Sequence, residues 1–250
     1  MGSLARVRHN ACPHTSKAEH ADATSDRAEG SRGALLRDFI ADDNFPCVGA
    51  KTAVSRQSLC ILECGRLGDK GNDVRLLDSL STFAQGLAHD AGDKYALHSF
   101  AVVFDGPSDT DERRFEALLW SQLQRLHDLD VGRGHAWASD VSTDPASPHF
   151  SLSLGGHPFF VIGLHPGASR HARRFGYPTL VFNSHRQFMR LRADGRYGKM
   201  QSAIRKRDIA LQGSINPNLA DFGEASEALQ YSGRAVEPGW QCPLRVRKVQ

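Results

Sequence analysis

FSLSLGG at residues 150–156 runs straight into HPFFVIGLHP at residues 157–166. Two apolar runs joined by Gly155-Gly156 read as a β-hairpin, because tight hairpin turns place their central residues at positive φ, which glycine accepts without strain. Side chains of an extended strand alternate between faces. His157, Phe159, Val161, Gly163 and His165 therefore share one face, and Phe160, Ile162 and Leu164 share the other. The first face sets an imidazole at each end of an apolar floor, with the bare backbone of Gly163 near one of them. Such a surface suits a flat apolar cofactor bound through an axial imidazole, since neutral imidazole is a common metal ligand and haem iron is commonly held by histidine. The same pattern also suits an ordinary strand, with His157 in a turn and His165 at the strand end, each hydrogen-bonded to backbone.

Outward from the hairpin, PTLVFNS (178–184) is another strand, and HRQFMRLRADGRYGKMQSAIRKRDIALQ (185–212) divides into two helices at Asp194-Gly195. DTDERRFEALLWSQLQRLHDLD (109–130) is a long helix whose first turn carries acids, as the positive end of a helix dipole favours. KYALHSFAVVFDG (94–106) is a strand closed by an Asp-Gly turn, and SLCILE (58–63) a buried strand. Residues 72–89 give a helix with Val74, Leu77, Leu80, Phe83, Ala84 and Leu87 on one face. GALLRDFI opens the folded part with a helix, and NFPCVGAKTAV (44–54) adds a turn and a short helix. Strands and helices mix without strict alternation, and no repeat or internal break is visible. The expected fold is α+β: a single compact domain over residues 34–250, with a mixed or antiparallel sheet flanked by helices. Residues 1–33 are polar and aperiodic and read as a disordered tail carrying His9, His14 and His20.

A chain of 250 residues has room for one sizeable core or two small ones. Its 40% hydrophobic and 24% charged content is that of a soluble globular protein, and a net charge of +3 is too small to imply nucleic-acid binding. No apolar run reaches membrane-spanning length, and the N-terminus lacks the apolar stretch of a signal peptide, so neither a membrane nor secretion is expected. Cys12, Cys47, Cys60, Cys64 and Cys242 are odd in number and scattered, without the two pairs of a structural zinc site. A reducing cytoplasm is the default setting.

Three clusters carry possible chemistry. After the Pro166-Gly167 turn, a helix from Ala168 to Phe175 would put Arg170, Arg173 and Arg174 on one face at i, i+3 and i+4. That face can take two propionates or a phosphate, or can simply be solvated. Asp221, Glu224 and Glu227 can converge around a turn and meet a cationic ligand, or can only complement a helix N-terminus. Cys47 is either a thiolate ligand to iron or a buried structural thiol. No GxGxxG, phosphate-binding loop or GxSxG occurs, which disfavours nucleotides and nucleophilic catalysis.

FPCVGAKTA, FFVIGLHPGASRHARRFGYPTLVFNSHRQF, RYGKMQSAIRKRD, LQGSINPNLADFGEASEALQYSGR and WQCPL lie in order along residues 45–244. Together they resemble the YqcI/YcgG family. Some members of that family are biosynthetic haem proteins that N-hydroxylate the guanidine of arginine or of an arginine-like amino acid, as in D-cycloserine biosynthesis. The resemblance implies haem b with a histidine axial ligand, His165 by preference and His185 second. Phe159 and Phe160 would wall the haem, and Arg170, Arg173 or Arg174 would neutralise its propionates. A small cationic amino acid, L-arginine or an analogue, would be oxidised with dioxygen or peroxide. One of Asp221, Glu224 or Glu227 would hold the guanidinium, and Arg205 or Arg207 the carboxylate. No reductase or flavin motif is visible, so a separate electron-donor protein is implied. A haem sensor or carrier, a non-haem iron enzyme using His157, His165 and a carboxylate, and a binding module without a cofactor are the competing readings.

Overall fold

The computed structural model describes residues 30–89 and 97–249. A five-stranded sheet of β1 (Leu59–Cys64), β2 (Ser99–Phe104), β3 (Leu152–Leu154), β4 (His157–Leu164) and β5 (Thr179–Ser184) forms its centre. Around it lie α1 (Arg32–Ala41), α2 (Val48–Ser55), α3 (Asp73–His89), α4 (Glu112–Gly132), α5 (His185–Ala193), α6 (Arg196–Gln212) and the short α7 (Ala228–Tyr231). The tail expected over residues 1–33, with its histidines, falls outside the described residues as far as residue 29. Residues 32 and 33 already belong to α1.

The strand order is β1-β2-β5-β4-β3. β1 and β2 are parallel and the remaining neighbours antiparallel, so the sheet is mixed. A parallel pair needs a long crossover, and α3 supplies it. The β3–β4 hairpin turns through Gly155 and Gly156 at φ of +60° and +67°. Among the described residues no helix is long and apolar enough to cross a membrane.

The sheet is apolar on both faces because helices cover both. On one face Phe159, Val161, Leu180 and Phe182 pack on α3 and α4 through Leu77, Leu80, Phe115 and Leu119. On the other, Leu59, Ala101 and Val103 meet α1 and α2 through Leu36, Ile40 and Ala53. Each such side chain contributes about 1.5–3 kcal/mol when fully buried. Two polar ties set the helices. Asp73 at the start of α3 accepts from Gln122 and Arg125 of α4. Glu63 on β1 accepts from the Gly33 N–H at 2.7 Å and from Arg32 at 3.1 Å, fixing the first turn of α1. Val74, expected on the apolar face of α3, is exposed.

The helix expected from Ala168 to Phe175 is only a 3₁₀ turn, His171–Arg173. The His165 N–H donates to the Arg173 carbonyl, and Arg174 folds back to donate to the Ala168 carbonyl. These bonds hold the segment as a loop, so Arg170, Arg173 and Arg174 do not share a face.

Candidate functional site

A cavity of about 320 Å³ lies between the sheet and helices α2, α5 and α6, a size within the range of small-molecule sites. Phe160 and Ile162 of β4 and Val181 of β5 form its floor, with Phe188 of α5 and Met200 and Ile204 of α6 among its other walls. The strand alternation read from the sequence holds, but the cavity is on the opposite face from the one with the two imidazoles. Phe159, Val161, Gly163 and His165 of the other face pack on α4 instead, and His157 turns to Ser184. The gap left by Gly163 is filled by Phe115: a Cβ there would stand 2.6 Å from that ring.

This register relocates several expected residues. His165 is buried and stacks on Phe115 with ring centroids 4.2 Å apart, away from the cavity. Burial depresses its pKa. His157 is buried with Nε2 2.8 Å from the Ser184 hydroxyl. Phe159 is fully buried among the residues under α3 and α4, whereas Phe160 reaches the cavity.

The imidazole that does line the cavity wall is His185, the first residue of α5, together with His98 just before β2. His185 is buried. Its Nδ1 lies 3.7 Å from Oε2 of Glu227, itself buried, and its ring leans on Phe222 at 4.4 Å. The other oxygen of Glu227 accepts a 2.6 Å hydrogen bond from the Tyr231 hydroxyl. That hydroxyl also accepts the Leu152 N–H at 3.2 Å. Burial, and then the adjacent carboxylate, hold the Tyr231 pKa well above the ordinary tyrosine value. The chain Tyr231–Glu227–His185 thus leads from the packed core to the cavity wall. Tyr231 escaped the sequence reading, although the i, i+4 spacing of Glu227 and Tyr231 was a usable signal.

Arg170 and Arg173 line the cavity; Arg174 does not. Arg170 is buried against Asp208 at 2.5 Å and Ser214, so its charge is already matched. Arg173 donates to the carbonyls of Gly163, Gln230 and Tyr231, with no carboxylate partner among the described residues. Burial lowers its pKa to about 10, so it stays cationic at neutral pH. Asp208 was missed, although it is the lone acid in a basic run.

The three acids do not converge. Asp221 and Glu227 line the cavity; Glu224 accepts the Asp221 N–H at 3.0 Å in an outer turn. Asp221 bonds Gln201 and lies 3.9 Å from Arg205, which also lines the cavity. Arg207 points elsewhere, to the carbonyls of Asp43 and Phe45. Cys47 lines the cavity, but burial raises its thiol pKa and its sulfur accepts the Ala50 N–H at 3.5 Å as the cap of α2. Among the described residues no three His, Cys, Asp or Glu side chains gather to hold a metal ion.

Fold and site together define an α+β protein with a small-molecule-sized apolar cavity on one face of its sheet. The YqcI/YcgG family model matches residues 36–245, and the chain belongs to that family. No curated protein and no solved structure matches it.

Proposed function

We propose that the chain is a haem-dependent monooxygenase that N-hydroxylates a small cationic amino acid, L-arginine or a close analogue. The observation that carries this is the His185 imidazole in the wall of an apolar cavity, backed by buried Glu227 at 3.7 Å. Histidines that ligate metals commonly direct their other ring nitrogen at a carboxylate, which fixes the tautomer and strengthens the ligand. Here Nδ1 faces Glu227, which leaves Nε2 for a ligand. A single axial histidine needs no three-residue metal cluster. The non-haem iron alternative has no such support, since His165 stacks on Phe115 of α4 and His157 bonds Ser184, and neither lines the cavity.

The residues present fit haem b. The walls are largely apolar, His185 would supply a nitrogen ligand to the iron, and Arg173 is a half-buried cation that would neutralise a propionate. When bound, haem supplies oxygen activation, with electrons from a separate donor protein or with peroxide in their place. The chain supplies positioning. Arg205 and Asp221 are 3.9 Å apart, too close to grip opposite ends of an arginine. They match the α-carboxylate and α-ammonium of one amino-acid head group, which leaves the guanidino end to extend along the apolar wall. This revises the sequence expectation that an acid holds the guanidinium.

Hemin titrated into the purified protein is expected to give a Soret band that His185→Ala loses and His165→Ala keeps. Loaded protein, with ferredoxin, its reductase and NADPH, or with hydrogen peroxide, should convert arginine to a product heavier by one oxygen in mass spectra. A chain that gains no Soret band would end the haem reading. A loaded chain that oxidises neither arginine nor its analogues would leave the sensor or carrier reading.

A further inference from the structure

The aromatic residues behind Glu227 form a continuous path to the surface. Tyr231 stacks on Trp120 with centroids 5.5 Å apart and planes inclined by 20°. Trp120 in turn lies 6.1 Å from Trp240, which is only half-buried. Trp120 is 3% exposed, and its Nε1–H has no hydrogen-bond partner among the described residues. A buried indole normally finds a partner for its N–H, and leaving one unmade is costly. Packing alone would be served better by a phenylalanine or leucine. Trp137, outside this path, leaves its Nε1–H unpartnered too, so what sets Trp120 apart is its place between Tyr231 and Trp240, and what phenol and indole add there is readiness for one-electron oxidation.

We propose that Tyr231, Trp120 and Trp240 form a relay that drains oxidising equivalents from the cavity to the protein surface. This rests on the oxidative reading of the cavity. The steps balance. A strong oxidant held in the cavity, such as a haem that had reacted with peroxide, would draw one electron from Tyr231, whose phenolic proton would cross the 2.6 Å hydrogen bond to the Glu227 carboxylate. Trp120 then returns one electron to Tyr231, which recovers its proton from Glu227. Trp240 refills Trp120, and a soluble one-electron reductant such as a thiol or ascorbate refills Trp240. One electron has moved inward, and no proton is gained or lost by the chain. Phenols and indoles yield electrons only to strong oxidants, so the relay cannot carry the low-potential electrons that prime oxygen. It acts when an oxidised site has no substrate to consume it.

The test needs no cofactor, so it fails or succeeds independently of the hemin titration. Pulse radiolysis of the purified protein with azidyl radical, which is reduced to azide as it oxidises exposed indoles, places the radical on the chain. The radical enters at the outer end, so the couplings of the relay are read in reverse: indolyl absorption is expected to decay as tyrosyl absorption grows, in a first-order phase independent of protein concentration. Trp120→Phe and Tyr231→Phe should each lose that phase, and Trp240→Phe should lower its yield, with melting curves reporting folding. A wild-type tyrosyl rate in Trp120→Phe, or the coupled indolyl-to-tyrosyl phase surviving unchanged in Tyr231→Phe, overturns the relay. Should the two core variants fail to fold, an unchanged yield in Trp240→Phe, altered only at a half-buried position, overturns it alone.

Discussion

Ser184 spends its hydroxyl on Nε2 of His157, while the next residue, His185, turns toward the cavity. Burial, and then the Arg186 guanidinium beside its other nitrogen, lower the His157 pKa from 6.5 to about 4. An unfolded chain would take up the proton at the ordinary value, so this histidine favours folding fully above about pH 6.5. That contribution, at most about 3 kcal/mol, is lost as pH falls from there toward the lowered value. Urea midpoints of the wild type should therefore drop between pH 7 and pH 5 more than those of His157→Gln. Equal drops would show that His157 titrates normally. At this scale the sequence was a partial guide. His157, His165 and His185 were recognisable as candidate site residues, but their partners were not. Glu227 and Ser184 reach His185 and His157 only once β4, β5 and the segment before α7 are assembled.

Strand β4 shows what a period can and cannot convey. Its alternation was legible, and so was the Gly155-Gly156 turn, because both depend on neighbouring residues only. Which face would carry the cavity was not legible, because Phe159 and Val161 are as apolar as Phe160 and Ile162. The deciding contact is the Phe115 ring seated over Gly163, a pairing across 48 residues of chain (163 − 115). Gly163→Ala is expected to destabilise the protein by about 1–3 kcal/mol, as overpacking does. Denaturant titration checks this, and a variant of wild-type stability would mean that α4 stands off the strand. The loop after β4 failed differently. Its residues carry helical spacing, but the hydrogen bonds of His165 and Arg174 to its own backbone outweigh the weak preference for a helix.

Across the whole molecule, the cavity exists because α6 is fastened back over the sheet. Arg170, after β4, and Asp208, late in α6, make that fastening as an ion pair, with side chains 10% and 13% exposed. Removing one partner from such a pair strands a buried charge, so Asp208→Ala should cost about 3–5 kcal/mol. Arg170→Met with Asp208→Leu together should recover much of it, because the desolvation penalty disappears along with the attraction. Thermal melts of the wild type and the two variants decide this. If the double change is as damaging as the single, the pair's hydrogen bonds to Ser214 matter more than its charge. The α+β class, the single domain and most elements were readable from the chain. The site was not, since its walls come from segments as distant as Cys47 and Glu227, and only packing brings them together.

One margin of the sheet is β3, three residues long and buried, with its hairpin turn pinned by the Asp130 carboxylate accepting the Gly155 N–H at 3.0 and 2.9 Å. Strands at a sheet's margin expose unpaired amides that can template another chain. So short a strand presents only a brief ladder to a passing chain. The chain thereby carries its own protection against fibrillar self-association on that side, which lets the apolar strands further in remain rich in phenylalanine and valine.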